Sequence, residues 1–126
     1  MIAYQEQVEA APTEAKIDYQ RLISVLEQIE GGSNLKAGGA LCWTSDAWKE
    51  ETGMPFGFAK QTAASHLFAY KRLVRLASVL RNEELPVTPY TLACLWHHGL
   101  TGTMLLLKGG VASDYGMRAS ALYFCQ

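Results

Sequence analysis

Apolar residues recur three or four positions apart through most of the chain, which is the spacing of amphipathic helices. We find no run that alternates apolar and polar residues like a half-buried strand, and no internal repeat. The pattern therefore predicts a mostly α fold in a single domain. The predicted helices cover residues 17–30, 46–51, 59–82, 89–98 and 103–108. A last helix is predicted to start after Ser113 or Asp114 and to carry Met117, Ala121, Leu122 and Phe124, and residues 37–44 leave room for a small β-hairpin.

Caps and turn residues set the ends of these helices. Helix starts are predicted at Ser45 or Thr44, at Thr88 with Pro89, and at Ser113 or Asp114. Helix ends are predicted at Gly31 with Gly32, at Gly53 and at Gly99. The long segment 59–82 is expected to turn one stripe to the core, formed by Ala63, Leu67, Tyr70, Val74 and Ala77. Residues 1–16 have few apolar anchors and are predicted to form an N-terminal arm, which leaves residues 17–126 as the helical domain.

Composition and charge narrow the possible functions. The chain has 126 residues, 49% of them hydrophobic and 18% charged, which is typical of a folded domain. A formal net charge of −1 argues against a nucleic-acid partner, so the basic residues Lys71, Arg72 and Arg75 are interpreted as a solvated helix face. No stretch is apolar enough to predict an integral membrane segment.

Cysteine and histidine spacing predicts neither a disulfide framework nor a metal site. Three cysteines, at positions 42, 94 and 125, are an odd set without a C-x-x-C pair, and we expect free, buried thiols. Cys94 and His97 are one helical turn apart, but zinc needs three or four converging ligands. We expect one of His97 and His98 to face the core and the other to face outwards. No cofactor is predicted.

Glu30 is the most informative acid, because it falls in the last turn of the first helix. At about 100° per residue it lies close to the apolar stripe, whereas Glu27 is expected to face water. Partial burial and the negative end of the helix dipole both favour a protonated carboxyl there. Glu30 is therefore a candidate general acid, and the plainer interpretation is a polar residue at a fraying helix end.

Four segments in order resemble the lysozyme-like lytic transglycosylases and related muramidases. The stretch Leu26–Asn34 resembles a motif of the type I-x-x-x-E-S-G-x-N, in which the catalytic Glu closes a helix. Residues 39–48 are similar to the substrate-groove segment of that family, residues 95–99 to a helix ending in A-Y-N-A-G, and residues 114–118 to the closing helix. The resemblance covers residues about 20–124 and implies a lysozyme-like fold.

That resemblance implies a peptidoglycan-cleaving glycosidase that acts on the β-1,4 bond between N-acetylmuramic acid and N-acetylglucosamine. Glu30 would be the acid/base and Tyr115 would orient its carboxyl. Asp46 is the nearest candidate for a second carboxylate, although an acid in a first helical turn also interacts with the helix dipole. The remaining predicted substrate contacts are Trp43, Thr44, Ser45, Trp96 and His97, with Trp43 expected to be the most exposed aromatic residue.

Two departures from the family pattern keep other functions open. Leu41-Cys42-Trp43-Thr44 replaces the family's Gly-Leu-x-Gln, and His97 stands where the family has Asn. One alternative is a catalytically degenerate lysozyme-like module that binds glycan or protein, and another is an intracellular helical interaction protein. The expected partner is a peptidoglycan glycan strand bound by a monomer. The location would be periplasmic or secreted if an upstream signal peptide was removed, and is otherwise open.

Overall fold

The computed structural model describes residues 16–32 and 37–125, and this part of the chain is mostly helical, as the apolar spacing predicts. It contains five α-helices and one short 3-10 helix. They are α1 (Tyr19–Glu30), α2 (Ser45–Thr52), the 3-10 helix (Phe56–Lys60), α3 (Thr62–Asn82), α4 (Pro89–Gly109) and α5 (Asp114–Phe124). The predicted N-terminal arm, except for its last residue Lys16, lies outside the described residues.

The small hairpin is not formed by the residues that the structure describes. Residues 37–42 form turns, and no strand occurs in the ranges 16–32 and 37–125. The Trp43 N–H donates to the Gly38 carbonyl at 3.1 Å and the Cys42 N–H donates to the Gly39 carbonyl at 3.0 Å. These local bonds close the segment on itself, so it is a glycine turn and not a pair of strands.

The described chain divides into two compact units, and each has its own buried apolar residues. The α1 unit is formed by Tyr19–Val74, and the α4 unit contains residues 16–18 and 75–125. The boundary falls inside α3, so one continuous helix contributes its first thirteen residues to the α1 unit and the rest to the α4 unit.

The core of the α1 unit is built around two tryptophans. Trp48 is fully buried, and its ring meets those of Trp43 and Phe68 edge to face, with centroids 5.1 and 5.7 Å apart. Its indole N–H donates to the Pro55 carbonyl at 3.1 Å, which satisfies its polar atom. The other buried apolar residues of this unit are Leu22, Ile23, Val25, Leu26, Leu41, Ala59, Ala69 and Leu73.

Trp43 is part of this core, and the prediction that it is the most exposed aromatic residue is wrong. Its side chain is 5% exposed, and its indole N–H donates to the buried Ser65 hydroxyl at 3.0 Å. The Arg72 guanidinium lies 5.9 Å from the ring centroid and is held by Glu51 at 3.1 Å. The glycines before Trp43 do predict a turn, but only packing decides that the indole points inwards.

The core-facing side of α3 also differs from the prediction. Ser65, Ala69, Leu73, Ala77 and Leu80 are buried, whereas Leu67, Tyr70 and Val74 are exposed. Of the predicted stripe only Ala77 reaches the core, and Ala63 is exposed as well. The helix has two apolar sides, and periodicity alone does not choose between them.

In the α4 unit, caps and a kink determine where the helices begin and bend. Thr88 and Thr91 form a reciprocal capping box at the start of α4. Gly99 interrupts this helix with φ 77° and ψ 174°, a conformation open essentially to glycine, where the sequence predicts that one helix ends and another follows. At Gly116 of α5 an added Cβ would lie 2.7 Å from the Cys94 sulfur, so a small residue allows α5 to approach α4.

We expect Ser65→Ala to lower the free energy of unfolding by about 1–3 kcal/mol, because the buried Trp43 N–H then loses its acceptor. Ser78→Ala, at an exposed position of the same helix, should change it by less than about 0.5 kcal/mol. Urea denaturation measures both. Equal effects of the two substitutions would contradict a stabilising role for the indole hydrogen bond.

Candidate functional site

The carboxylate with the strongest sequence case lies at the last residue of α1. Glu30 is half-buried and ends the helix, and Gly31 follows it with φ 61°. The Gly31 N–H donates to the Glu27 carbonyl at 3.0 Å, which closes the final turn. The chain therefore turns sharply at Glu30, as its two following glycines predict.

The glycine turn lies directly against this end of α1. The Cys42 sulfur is 4.0 Å from the Glu30 carbonyl oxygen. A Cβ added at Gly32 would lie 2.8 Å from both the Ala40 carbonyl oxygen and the Cys42 sulfur, closer than real Cβ contacts allow. Gly38 is equally restricted, because its Cβ would collide with the backbone of Trp43. This close approach fixes the backbone on which the Glu30 carboxyl is carried.

A second acid of α1 has a partner that the sequence did not predict. Glu27 is expected to face water, but it is only partly exposed and its Oε2 lies 2.7 Å from His66 Nε2 on α3. Residues three apart on a helix are neighbours, so Glu27 and Glu30 lie on adjoining positions one turn apart. Because 39 positions separate Glu27 from His66, only the folded structure reveals this contact.

The other predicted substrate contacts of this unit come directly after Trp43 in the chain. Thr44 is exposed and caps α2, since its hydroxyl accepts the Ala47 N–H at 3.1 Å. Asp46 is exposed in the first turn of the same helix. Ser45 lies at the edge of an open pocket of about 350 Å³, whose other lining residues are Lys49, Gly53, Met54, Pro55 and Phe56.

A second group of predicted site residues lies in the α4 unit. The His97 and Tyr115 rings are stacked, with centroids 4.1 Å apart and planes 6° from parallel. His98 meets His97 edge to face at 4.7 Å. Both histidines are exposed, so the expectation that one of them faces the core is wrong, and Trp96 before them is half-buried. Gly99 interrupts the helix directly after this pair of histidines.

Behind this stack is a hydrogen-bond network that sequence analysis missed. His98 Nε2 lies 2.9 Å from the Ser113 hydroxyl, which also accepts the Gly116 N–H as the cap of α5. The Tyr90 hydroxyl accepts the Ser113 N–H at 3.0 Å. Only the cap at Ser113 was visible in the sequence. The network sets the start of α5 and so the position of Tyr115.

The predicted site residues thus fall into two groups, one in each unit. Glu30, Thr44, Ser45 and Asp46 belong to the α1 unit together with the buried Trp43, and Trp96, His97 and Tyr115 belong to the α4 unit. Within the ranges that the structure describes, no three His, Cys, Asp or Glu side chains are arranged to hold a metal ion. None of the described helices is long and apolar enough to span a membrane.

The three cysteines are free and differ in their surroundings. Cys94 is buried and Cys42 is half-buried, but Cys125 is exposed, which contradicts the expectation that all three are buried. Burial raises the pKa of the Cys94 thiol above its usual value, against smaller lowering effects of hydrogen bonds with Ser113 and Tyr90.

We expect iodoacetamide to alkylate Cys94 at least about tenfold more slowly than Cys125 at about pH 8, because the thiolate is the reacting form. The rate at Cys94 should also begin to rise at higher pH than the rate of an unstructured cysteine peptide, because its raised pKa keeps the thiol protonated. Mass spectrometry of the alkylated peptides gives both rates. Equal rates at the two cysteines, or a rise at Cys94 at lower pH than in the peptide, would contradict a buried Cys94 thiol with a raised pKa.

Comparison of this chain with protein-family models, with curated proteins and with solved structures found no match in any of the three. The likeness to lysozyme-like enzymes therefore rests on the four sequence segments quoted above, which run through both units.

Proposed function

We propose that this protein cleaves the glycan strands of peptidoglycan, with Glu30 as the general acid/base. The observation that carries the proposal is the close approach of the glycine turn to the end of α1. A catalytic carboxyl must be held in place relative to the bond that it protonates. The contacts of Gly32 with Ala40 and Cys42 restrain the backbone at Glu30 in that way.

The proposed chemistry begins with one proton transfer. Glu30 gives its proton to the glycosidic oxygen between N-acetylmuramic acid and N-acetylglucosamine, and the bond from that oxygen to the anomeric carbon breaks. Either water or the 6-hydroxyl of the same muramic acid then forms the new bond to that carbon. The attacking hydroxyl gives its proton to the Glu30 carboxylate, which restores the acid. A hydrolytic route would favour a second carboxylate, and Asp46 is the candidate in the α1 unit.

Each unit by itself offers sugar contacts in this proposal, exposed polar residues in the α1 unit and one aromatic stack in the α4 unit. Ser45 and the neighbouring Lys49 offer a hydroxyl and a cation at the edge of an open pocket. His97 and Tyr115 offer parallel rings, with His97 exposed to a ligand. Trp43 is buried in the core and has no ring face free for a sugar, so it is not one of the proposed substrate contacts.

We expect Glu30→Gln to reduce the release of soluble muropeptides from purified sacculi by at least about a hundredfold, because the amide cannot donate the required proton. Mass spectrometry of the products measures the release and also separates the two routes, since an anhydro product lacks the mass of one water. Glu83→Gln, which neutralises an exposed acid at the end of α3, is the matched control and should leave the release unchanged.

Sedimentation with sacculi separates catalysis from binding in the same samples. Retained binding of Glu30→Gln with lost release supports the enzyme. Binding by the wild type without any release favours a catalytically degenerate glycan-binding module and contradicts the enzyme. Absence of both release and binding contradicts both functions.

A further inference from the structure

One side of α3 exposes a row of apolar side chains to solvent. Leu67, Tyr70 and Val74 are 49%, 48% and 39% exposed, and Ala63 is exposed one turn earlier. We name these four residues the α3 strip. They lie at the spacing i, i+4, i+7 and i+11, which is the seam that one helix presents to another helix.

The α3 strip is separate from the side of α3 that reaches the core. At about 100° per residue its members lie roughly 100–160° around the helix from the buried Ala69. The strip runs for about 16 Å, or three turns, at 1.5 Å per residue. The Tyr19 ring meets the Tyr70 ring edge to face at 5.6 Å and holds it in place. The strip is therefore an apolar surface on the side of α3 that faces away from the core.

The charge on α3 indicates what kind of surface would cover the strip. The helix carries Lys71, Arg72, Arg75 and Arg81 and no Asp or Glu, although the whole chain has a net charge of −1. Arg72 is held by Glu51 on the core side of the helix. Lys71, beside Leu67 on the helical wheel, is exposed, and its ammonium group lies 5.5 Å from the centroid of the Phe68 ring. A positive charge thus borders the apolar strip.

Three occupants can be compared with this pattern. A second copy docked strip to strip would bring two Lys71 ammonium groups near each other, which opposes association. An anionic membrane requires protruding apolar side chains and a favourable long-range charge, but these side chains are half-exposed and the chain is slightly negative. A helix with an apolar face bordered by carboxylates satisfies both the strip and Lys71.

We propose that the α3 strip is a docking surface for an acidic amphipathic helix of another protein. The inference is independent of the glycan-cleaving activity, since none of the residues of the strip was assigned to that site. The apolar face of the partner packs along Leu67, Tyr70 and Val74, and an acidic residue at its edge pairs with Lys71. The apolar contacts supply most of the affinity and the ion pair selects the charge of the partner.

The test uses two synthetic helices of about four turns, each with a leucine stripe, bordered by glutamate in one and by lysine in the other. Fluorescence anisotropy should show the glutamate peptide binding the wild-type protein at least about tenfold more tightly than the lysine peptide. Leu67→Ser and Tyr70→Ser should each weaken its binding by at least about fivefold. Leu105→Ser, at a 65% exposed leucine on α4, is the control and should change nothing.

Lys71→Glu provides the sharper arm, because it changes the charge beside the strip without removing an apolar contact. This substitution should weaken binding of the glutamate peptide and strengthen binding of the lysine peptide, each by about threefold or more. Circular dichroism checks that every variant is folded. Equal binding of both peptides, or binding that Leu67→Ser and Tyr70→Ser leave intact, would overturn the proposal.

Two further measurements test the other occupants. Sedimentation velocity of the wild type that shows a dimer, lost in Tyr70→Ser, would assign the strip to a second copy and overturn the proposal. Binding to vesicles containing phosphatidylglycerol, without binding to the glutamate peptide, would assign it to a membrane surface and overturn it equally.

Discussion

The arrangement of the α1 unit depends on how closely the backbone of the glycine turn approaches the end of α1. At Gly32 there is no room for even one methyl group, and at Gly38 a Cβ would meet the backbone of Trp43. With this contact in place, Glu30 is held at a sharp bend and the Trp43 indole is carried into the core. The candidate acid and the main buried tryptophan cluster therefore share one structural support.

Polar groups inside this unit are placed so that burial costs little. Trp43 and Trp48 each bury an indole N–H, and each finds an oxygen about 3 Å away, in Ser65 and in Pro55. Arg72 covers the Trp43 ring and is neutralised by Glu51. Because these partners come from the 3-10 region and from α2 and α3, the tryptophan cluster connects elements that the glycine turn alone does not reach.

In the α4 unit, Ser113 likewise takes part in several hydrogen bonds at once. The Ser113 hydroxyl caps α5 and lies within hydrogen-bond distance of His98, and the Tyr90 hydroxyl accepts the Ser113 N–H. This places the Tyr115 ring parallel to His97 at the kink of α4. Glycine is needed at the kink for its backbone conformation and at Gly116 for the contact with Cys94. The aromatic stack is therefore a consequence of helix capping and helix packing.

Much of the local structure could be predicted from the sequence, because caps and turns act over a few residues. Thr44, Thr88 and Ser113 cap helices where their side chains suggest, and Gly53 and Gly99 end or break them. Glu30 closes α1 as its position between an apolar stripe and two glycines predicts. These features depend on neighbours in the chain, so no knowledge of the rest of the molecule is required.

Which side of an element is buried was decided only by the tertiary structure. Both apolar sides of α3 have helical spacing, but Ala69 and Leu73 are buried in the core whereas Leu67 and Tyr70 are exposed to solvent. Trp43, Glu27 and the histidine pair were likewise misjudged, because their surroundings come from residues 15 to 39 positions away. Hydrophobic periodicity reports that a face is apolar, but only the competition for space in a close-packed core decides which face is covered.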